Sequence, residues 1–340
     1  MRIAVFNSKK YDKLSLAASN VSAGSPHQLE FFKPRLDSAH CRLAHGFEAV
    51  CVFVNDQCDR EIVDELAAHG CKLILLRCAG FNNVDLNAAA ERGITVTRVP
   101  VYSPYAVAEH AVALIQSLNR HIVKAHNRVR EGNFSLDGLL GFDLHGKTVG
   151  VCGTGGIGLI FAKIMHAFGC NIIAYDPYKN DEIPKIGKYV ELDEFWASSD
   201  IISMHVPLMP STRHMISEEA IAKMKPGVMI INTARGALLD TKAVIQGLKS
   251  KQIGALGIDV IEGEEGLFFE DHTEDMVDND YFHRLCTFQN VLVTGHMAFF
   301  TKEALSNIAT TTMESALLFE QKKSLNVRNV CCMDGKKIVG

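Results

Sequence analysis

The stretch of sequence that decides the fold is a glycine-rich turn, Val149-Gly150-Val151-Cys152-Gly153-Thr154-Gly155-Gly156-Ile157-Gly158. It contains the pattern G-x-G-x-x-G, which follows a short apolar run and opens an apolar helical segment. In this pattern Gly153 permits a tight turn, Gly155 lets the backbone approach a pyrophosphate, and Gly158 lets helix and strand pack closely. The free N–H groups at the start of such a helix bind phosphate oxygens. The turn therefore predicts a dinucleotide-binding domain.

An acidic residue follows the turn at the distance that dinucleotide-binding units use. Asp176 lies about 20 residues after the turn, at the end of the next predicted strand. A carboxylate there accepts hydrogen bonds from a ribose diol and repels a 2′-phosphate, which favours NAD over NADP. The alternative is a purely structural turn in which Asp176 caps a helix. No P-loop pattern, GxxxxGK[ST], occurs in the chain.

Short apolar runs alternate with helical patterns along the whole chain, which is typical of parallel sheets covered by helices. Four runs in the first hundred residues predict strands at 3–6, 49–54, 73–76 and 94–96. A second series of six predicts strands at 148–152, 171–175, 201–205, 228–232, 255–258 and 291–294. Six strands separated by helices make a complete doubly wound domain.

Two long helical stretches flank the second series, at 106–130 and 301–322. No strand is expected after the second stretch, and its return to the first domain would make that domain discontinuous. We place the hinges near 100–104 and 296–301.

Composition excludes several classes of protein. With 340 residues, 47% hydrophobic and 22% charged, the chain has room for about two domains with proper cores. The net charge is −4 and no long basic run occurs, so the sequence does not predict a nucleic-acid-binding surface. No run approaches 18 apolar residues, so no membrane span is expected, and the apolar start is too short for a signal peptide.

Ten cysteines are scattered without any CxxC pair, so the spacing supports neither a zinc site nor a redox motif. Most of the cysteines lie among apolar neighbours. Cys331 and Cys332 are adjacent to each other in a C-terminal segment that is predicted to be a polar tail. Reduced cysteines packed as small hydrophobes are expected. This indicates a cytoplasmic protein without a metal.

Three ionisable residues follow predicted strands of the second series, and ligands of open α/β sheets bind at those carboxyl ends. They are Arg235, Glu264 and His296. A guanidinium can hold a carboxylate and polarise a keto oxygen, whereas an imidazole oriented by a carboxylate can deliver a proton. Each residue alone could be a solvated loop charge or a cap. Together they predict the reduction of a 2-keto acid.

Further motifs make the chain resemble the NAD-dependent D-2-hydroxyacid dehydrogenase family along essentially its whole length, closest to the bacterial fermentative D-lactate branch. The first of them are Leu76-Arg77-Cys78-Ala79-Gly80-Phe81-Asn82-Asn83-Val84-Asp85 and Val99-Pro100-Val101-Tyr102-Ser103-Pro104. The later ones are His205-Val206-Pro207, Asn232-Thr233-Ala234-Arg235-Gly236, Leu267-Phe268-Phe269-Glu270-Asp271 and Gly295-His296-Met297-Ala298-Phe299.

The resemblance implies roles for individual residues. Arg235, Glu264 and His296 match the catalytic residues of the family. Backbone N–H groups of the Cys78-Ala79-Gly80 loop match those that hold the substrate carboxylate, and Arg235 and His296 also contact the substrate. The matching walls of the pocket are Phe53, Tyr102 and Phe299. The implied cofactor contacts are Gly153, Gly155, Gly156, Ile157, Gly158, Asp176, Pro177, Val206, Pro207, Thr233, Ala234 and Asp259.

The implied architecture has two doubly wound parallel-sheet domains. A Rossmann NAD-binding domain, 102–298, is inserted in a discontinuous flavodoxin-like catalytic domain, 1–101 with 299–340. Family members are dimers or tetramers, so a homodimer or homotetramer is expected. Aromatic pocket walls favour a short side chain, which makes pyruvate the expected substrate.

Two positions depart from the family pattern: Met297 stands where glutamine is usual, and Ile261 where tyrosine is usual. Fine substrate preference therefore stays open among pyruvate, glyoxylate, hydroxypyruvate and branched 2-keto acids. An NAD(H)-sensing binding protein is the alternative from another class.

Overall fold

A computed structural model describes residues 1–24, 27–264 and 266–338. It divides into two compact units, Met1–Ser103 with Phe300–Gly340, and Pro104–Phe299. Each unit is built on its own seven-stranded sheet.

The strands are short, as in most α/β proteins. They are β1 (Arg2–Val5), β2 (Gln28–Phe31), β3 (Ala49–Val52), β4 (Leu73–Leu76), β5 (Thr95–Thr97), β6 (Thr148–Cys152), β7 (Asn171–Tyr175), β8 (Gly187–Tyr189), β9 (Ile201–Met204), β10 (Val228–Asn232), β11 (Ile253–Ile258), β12 (Val291–Val293), β13 (Val330–Met333) and β14 (Lys336–Lys337).

Helices lie between most of these strands. They are α1 (Lys10–Ser22), α2 (Arg60–Ala68), α3 (Leu86–Glu91), α4 (Pro104–Asn119), α5 (Ile122–Arg130), α6 (Gly156–Ala167), α7 (Leu192–Ser198), α8 (Glu218–Lys223), α9 (Thr241–Lys249), α10 (Asp280–Cys286) and α11 (Lys302–Glu320). Short 3-10 turns occupy Cys41–Ala44, Ile183–Lys185, Gly236–Leu238 and Val327–Asn329.

The first unit has the strand order β14-β13-β5-β4-β3-β1-β2. Strands β1 to β5 are parallel in the flavodoxin-like order 2-1-3-4-5. The central strands β3 and β4 are buried along their whole length, which explains why they contain only apolar residues. Their parallel direction brings the segments that follow β1, β3, β4 and β5 to one edge of the sheet.

The end of the chain corrects one expectation. We expected no strand after the last helix and a polar tail around Cys331 and Cys332, but these residues are fully buried in β13. This strand pairs antiparallel with β5 and extends the sheet. Val330 and the two thiols are the buried side chains of this strand, and cysteine packs there as a small hydrophobe.

The second unit has the strand order β12-β11-β10-β9-β6-β7-β8, with every pair parallel. Read from β8 through β6 to β11, this is the doubly wound 3-2-1-4-5-6 order, and β12 adds a seventh strand. The sequence did not predict β8, because its three residues, Gly-Lys-Tyr, form no apolar run. The six predicted strands are present.

The structure contains two helices, α4 and α5, where the sequence predicted one. The expected stretch 106–130 breaks after Asn119, and His121 has a left-handed backbone with φ of 49°. The buried Asn119 amide exchanges two hydrogen bonds with the backbone of Phe142, which gives the chain a local alternative to continuing the helix. Helix α5, which follows the break, has no buried residue.

The described part of the chain contains no helix long and apolar enough to cross a membrane. All ten cysteines are free thiols, and nine are buried while Cys286 is exposed. Burial raises the pKa of Cys51 to about 12 and that of Cys331 to about 11, so these thiols stay protonated at neutral pH.

We therefore expect one reactive thiol per native chain, at Cys286, because a reagent can reach only an exposed thiol. Partial burial raises the pKa of Cys286, so an alkaline pH is used for the labelling. Titration with a chromogenic disulfide reagent at pH 8, followed by peptide mass spectrometry, measures this. All ten thiols should react after unfolding in guanidinium. Fast labelling of Cys331 or Cys332 in the native protein would contradict the placement of β13.

Candidate active site

Most of the predicted cofactor and catalytic residues lie in the second unit, each directly after the carboxyl end of a parallel strand. The glycine turn follows β6, Asp176 and Pro177 follow β7, and Val206 and Pro207 come shortly after β9. Thr233, Ala234 and Arg235 follow β10, Asp259 follows β11, and His296 follows β12. The all-parallel sheet is therefore what brings these residues to one edge.

The turn after β6 has the backbone geometry that its glycines predict. Gly153 has a φ of +93°, which side chains disfavour, and a Cβ there would lie 2.7 Å from the carbonyl carbon of His205. A Cβ on Gly158 would lie 1.9 Å from the Gly153 carbonyl oxygen, so only glycine permits the close passage of helix and turn.

Glu264 and His296 form a direct pair. The Nδ1 of His296 lies 2.7 Å from Oε1 of Glu264, and each side chain is about one-fifth exposed. The second oxygen of Glu264 accepts a hydrogen bond from the N–H of Ile261, which fixes the carboxylate. Within the described residues, Nε2 of His296 has no hydrogen-bond partner. The arrangement leaves one ring nitrogen free to exchange a proton with a ligand.

The turn that carries His296 is tied to a buried carboxylate. His296 has a left-handed backbone with φ of 50°, and its N–H donates to the backbone oxygen of Asp259. The Asp259 side chain accepts hydrogen bonds from the N–H groups of Met297 and Ala298 and from the hydroxyl of Thr294. These bonds hold a conformation that would otherwise cost free energy.

The pKa of Asp259 reflects these contacts. Burial favours the neutral acid, but hydrogen bonds from His110, Thr294, Ala298 and Met297 outweigh burial and hold the pKa of Asp259 below its ordinary value. Nε2 of His110, on α4, lies 3.0 Å from the Thr294 hydroxyl and 3.4 Å from the Asp259 carboxylate. The motif Ala108-Glu109-His110 contributes to the family resemblance, but the sequence alone assigned His110 no role, because it lies on a helix distant in the chain from Asp259.

His205 is excluded as a proton donor. His205 follows β9, and Nε2 of its ring lies 2.9 Å from the Ser203 hydroxyl. Burial lowers the pKa of His205 to about 3, so its imidazole is neutral at pH 7.

Arg235 follows β10 with its cationic group available. Its Nη1 donates to the backbone oxygen of Ala234 at 2.7 Å, and among the described residues its guanidinium forms no ion pair. The nearby Thr233 hydroxyl is buried and has no hydrogen-bond partner in the part of the chain that is described. A cation and a hydroxyl without protein partners can both bind a ligand.

The predicted substrate residues Phe53, Cys78, Ala79, Gly80 and Tyr102 belong to the first unit, whereas Phe299 belongs to the second. In the loop after β4, the N–H groups of Ala79 and Gly80 find no acceptor anywhere in the described ranges. Two successive free N–H groups form a site that favours an anion.

Comparison with known proteins identifies the family. A model described as D-isomer specific 2-hydroxyacid dehydrogenase, NAD binding domain, matches residues 112–298. The 2-hydroxyacid dehydrogenase homolog of Haemophilus influenzae is 52% identical over 316 residues, covering 93% of this chain and 95% of the relative. The D-lactate dehydrogenase of Escherichia coli is 50% identical with the same coverage. The solved structure of the pyruvate reductase of Chlamydomonas reinhardtii has a TM-score of 0.91 at 46% identity, covering 96% of this chain and 98% of its own.

The chain belongs to the D-isomer-specific 2-hydroxyacid dehydrogenase family. The resemblance and the two-domain parallel-sheet fold predicted from the sequence are confirmed. The protein is an NAD-dependent oxidoreductase.

The residues of this dehydrogenase fit the cofactor. Helix α6 begins at the glycine turn, and within the described chain the N–H groups of Gly156, Ile157 and Gly158 donate to no acceptor. These donors and the positive end of the helix dipole suit a pyrophosphate. A Cβ built on Gly155 meets no atom within 4 Å, so the backbone is open to a ligand there.

Asp176 is fixed at the end of β7. One carboxylate oxygen accepts hydrogen bonds from the N–H and hydroxyl of Thr154, and the other accepts from the N–H of Tyr178. A carboxylate oxygen has two lone pairs, so capacity remains to accept from a ribose diol. The same residue therefore braces the turn and suits the ribose.

The sequence did not predict that the side chain of Phe269 lies beside His296. Its ring centroid lies 5.4 Å from the His296 ring and 6.4 Å from the Phe299 ring, and its backbone φ is 71°. The neighbouring Phe268 is buried in the core beside β10 and β11 and anchors the segment. The segment that contains Phe269 contributes to the family resemblance, but only the structure shows an apolar ring beside the imidazole.

We expect Asp259→Asn to destabilise the protein at pH 7 by about 1–3 kcal/mol. The carboxylate accepts hydrogen bonds from two backbone N–H groups, whereas the NH₂ group of an amide would face them as a second buried donor. Since the native pKa of Asp259 is lowered, its contribution is present above the unfolded value near 4 and is lost as the pH falls further.

Urea unfolding of both proteins at pH 7, 5 and 3.5 measures this difference. It should persist at pH 5 and shrink at pH 3.5. Equal stabilities at pH 7 would show that the carboxylate does not hold the turn.

Proposed function

We propose that the protein reduces pyruvate to D-lactate: pyruvate + NADH + H⁺ ⇌ D-lactate + NAD⁺. The observation that carries the proposal is the pairing of Glu264 with His296, which leaves Nε2 free, together with an unpaired Arg235 in the same unit. The names of two relatives support this substrate: the Escherichia coli protein is a D-lactate dehydrogenase, and the Chlamydomonas protein is a pyruvate reductase.

His296 is the proposed proton donor. When bound, NADH supplies the hydride to the keto carbon. The oxygen of that group becomes an alkoxide, which needs a proton, and Nε2 of His296 donates it. Glu264 accepts the hydrogen bond of Nδ1 and so keeps the ring oriented, with Nε2 available to the substrate.

Arg235 and the loop after β4 are the proposed carboxylate ligands. A planar guanidinium binds a carboxylate in two parallel hydrogen bonds and polarises a neighbouring keto oxygen. The free N–H groups of Ala79 and Gly80 add neutral donors to the carboxylate. An α-keto acid carries its carboxylate and keto oxygen side by side, so one guanidinium such as that of Arg235 can contact both.

The proposed pocket walls favour a small side chain. Phe53, Tyr102 and Phe299 are the walls that the resemblance implies. Within the second unit, the ring of Phe269 lies beside those of His296 and Phe299. Bulky aromatic rings suit the methyl group of pyruvate better than a branched chain. Glyoxylate, hydroxypyruvate and branched 2-keto acids remain the alternatives that the test below compares.

NADH oxidation by the purified protein with pyruvate, glyoxylate, hydroxypyruvate and 2-ketoisocaproate, with chiral analysis of the product, tests the proposal. We expect the highest kcat/KM for pyruvate and D-lactate as the product. A clear preference for another acid would refute the substrate and retain the dehydrogenase. Tight NADH binding without turnover of any acid would favour an NAD(H)-sensing protein.

His296→Ala should lower kcat by about 100- to 10,000-fold, because it removes the proton donor. NADH affinity, measured by protein fluorescence, should stay within a factor of about two, since no proposed cofactor contact changes.

His283→Ala is the matched control, because His283 lies on α10 outside the proposed site and bonds a backbone oxygen. It should keep wild-type turnover. Equal kcat values for His296→Ala and wild type would remove the acid–base role.

The expected assembly is a homodimer or homotetramer. Helix α5 has no buried residue, and Phe134, Leu136 and Leu140 in the following segment are 74%, 82% and 91% exposed. Exposed apolar side chains in such number are typical of a surface that another chain covers. A second copy of this chain and a cytoplasmic location stay predictions.

A further inference from the structure

Arg98 follows β5 in the first unit and contacts the loop after β4. Its Nη1 donates to the backbone oxygen of Ala79 at 3.0 Å, and its guanidinium lies 4.9 Å from the centre of the Phe81 ring. Its own N–H donates to the backbone oxygen of Asn329, just before β13. The residue is therefore held from both sides and oriented toward the loop.

The segment from Arg98 to Val99 fixes two successive peptide groups of that loop. The Val99 N–H donates to the Cys78 oxygen at 3.0 Å, and Arg98 donates to the Ala79 oxygen. In a trans peptide the C=O and N–H of one unit point in opposite directions. Holding the Cys78 oxygen therefore fixes the Ala79 N–H, and holding the Ala79 oxygen fixes the Gly80 N–H.

These two N–H groups are the ones that donate to no acceptor in the described residues. A cationic donor on a peptide oxygen also withdraws electron density from that peptide, which strengthens its N–H as a donor. Arg98 thus orients the Gly80 N–H and increases its affinity for an anion without contacting that anion.

The charge of Arg98 is not neutralised by the protein. Within the described ranges its guanidinium forms no ion pair, and its Nε is buried without a hydrogen-bond partner. Arg77, at the end of β4, is fully buried but is paired with Asp12. A partly buried cation without a counter-charge makes the local potential positive and favours an anionic ligand at the loop.

We propose that Arg98 is a positioning residue for the substrate carboxylate: it aligns and polarises the Ala79–Gly80 peptide, whose N–H receives that carboxylate. This inference rests on the proposed function, in which the loop holds the carboxylate of the keto acid. Arg98 acts on substrate binding, and it takes no part in proton transfer or in binding NADH.

Arg98→Met removes the charge and the hydrogen bond but keeps an apolar stem, and Arg98→Lys keeps the charge. The Ala79 oxygen loses its donor in Arg98→Met, whereas in Arg98→Lys it can still accept from a cation that is less constrained in direction. We expect Arg98→Met to raise KM for pyruvate about tenfold or more, with kcat within about threefold of wild type. Arg98→Lys should lie between them.

Arg2→Met is the matched control. Arg2 also lies over a phenyl ring, that of Phe47, at 4.4 Å, and its Nη1 bonds the backbone oxygen of Gly46. It begins β1, at the amino ends of the parallel strands, whereas the loop after β4 lies at their carboxyl ends, so its loss should leave KM unchanged. NADH affinity and the thermal midpoint of each variant establish that the fold is retained.

Binding of oxamate to the NADH complex, by calorimetry, gives a readout that does not need turnover. Weaker oxamate binding in Arg98→Met than in Arg2→Met supports the proposal, and equal affinities overturn it. If wild-type protein binds oxamate but reduces no keto acid, the proposed reaction fails while the role of Arg98 is still measured. If Arg98→Met does not fold, a wild-type KM and oxamate affinity in Arg98→Lys overturn the proposal.

Discussion

The buried carboxylate of Asp259 is the constraint on which the geometry of the site depends. Two backbone N–H groups and one hydroxyl donate to it, all from the segment that follows β12. These bonds help to offset the cost of the left-handed backbone of His296. Because that backbone is fixed, Nδ1 of His296 meets Glu264 and Nε2 remains free.

Free donors are the common property of the sites in both units. The first turn of α6, the loop at Ala79 and Gly80, and the guanidinium of Arg235 have hydrogen-bonding capacity that the described protein residues do not use. Proteins rarely leave such groups unsatisfied, so their occurrence at strand ends indicates ligand contacts. The donors are cations or N–H groups, which suits a phosphate-bearing cofactor and a carboxylate substrate.

Much of this could be predicted from the sequence. The glycine turn and the apolar runs predict the parallel sheets, and a parallel sheet alone brings Arg235, Asp259 and His296 to one edge. Strand β8 was missed because its residues are polar and few, and β13 because two cysteines in a charged neighbourhood resemble a tail. Their pairing is decided by neighbours distant in sequence, which local patterns do not record.

The positions of side chains that depend on loop conformation could not be predicted from the sequence either. The ring of Phe269 lies beside His296 because a residue with positive φ turns the backbone there, and no local pattern predicts that turn. Likewise, the sequence alone does not distinguish Arg98 from other charged residues that follow strands, and its role is suggested only by its hydrogen bond to the Ala79 oxygen. Long-range hydrogen bonds thus supply what periodicity and motif spacing lack.

The imidazole of His296, held by Glu264, is proposed both to give and to take the proton of the reaction. The pH dependence of kcat/KM, measured for keto-acid reduction and for D-hydroxy-acid oxidation, tests this role. Reduction needs the protonated ring and oxidation the neutral ring, so a fall in pH should raise the rate of reduction relative to that of oxidation. A ratio of the two rates that does not change with pH, or that changes in the other direction, would contradict this role of His296.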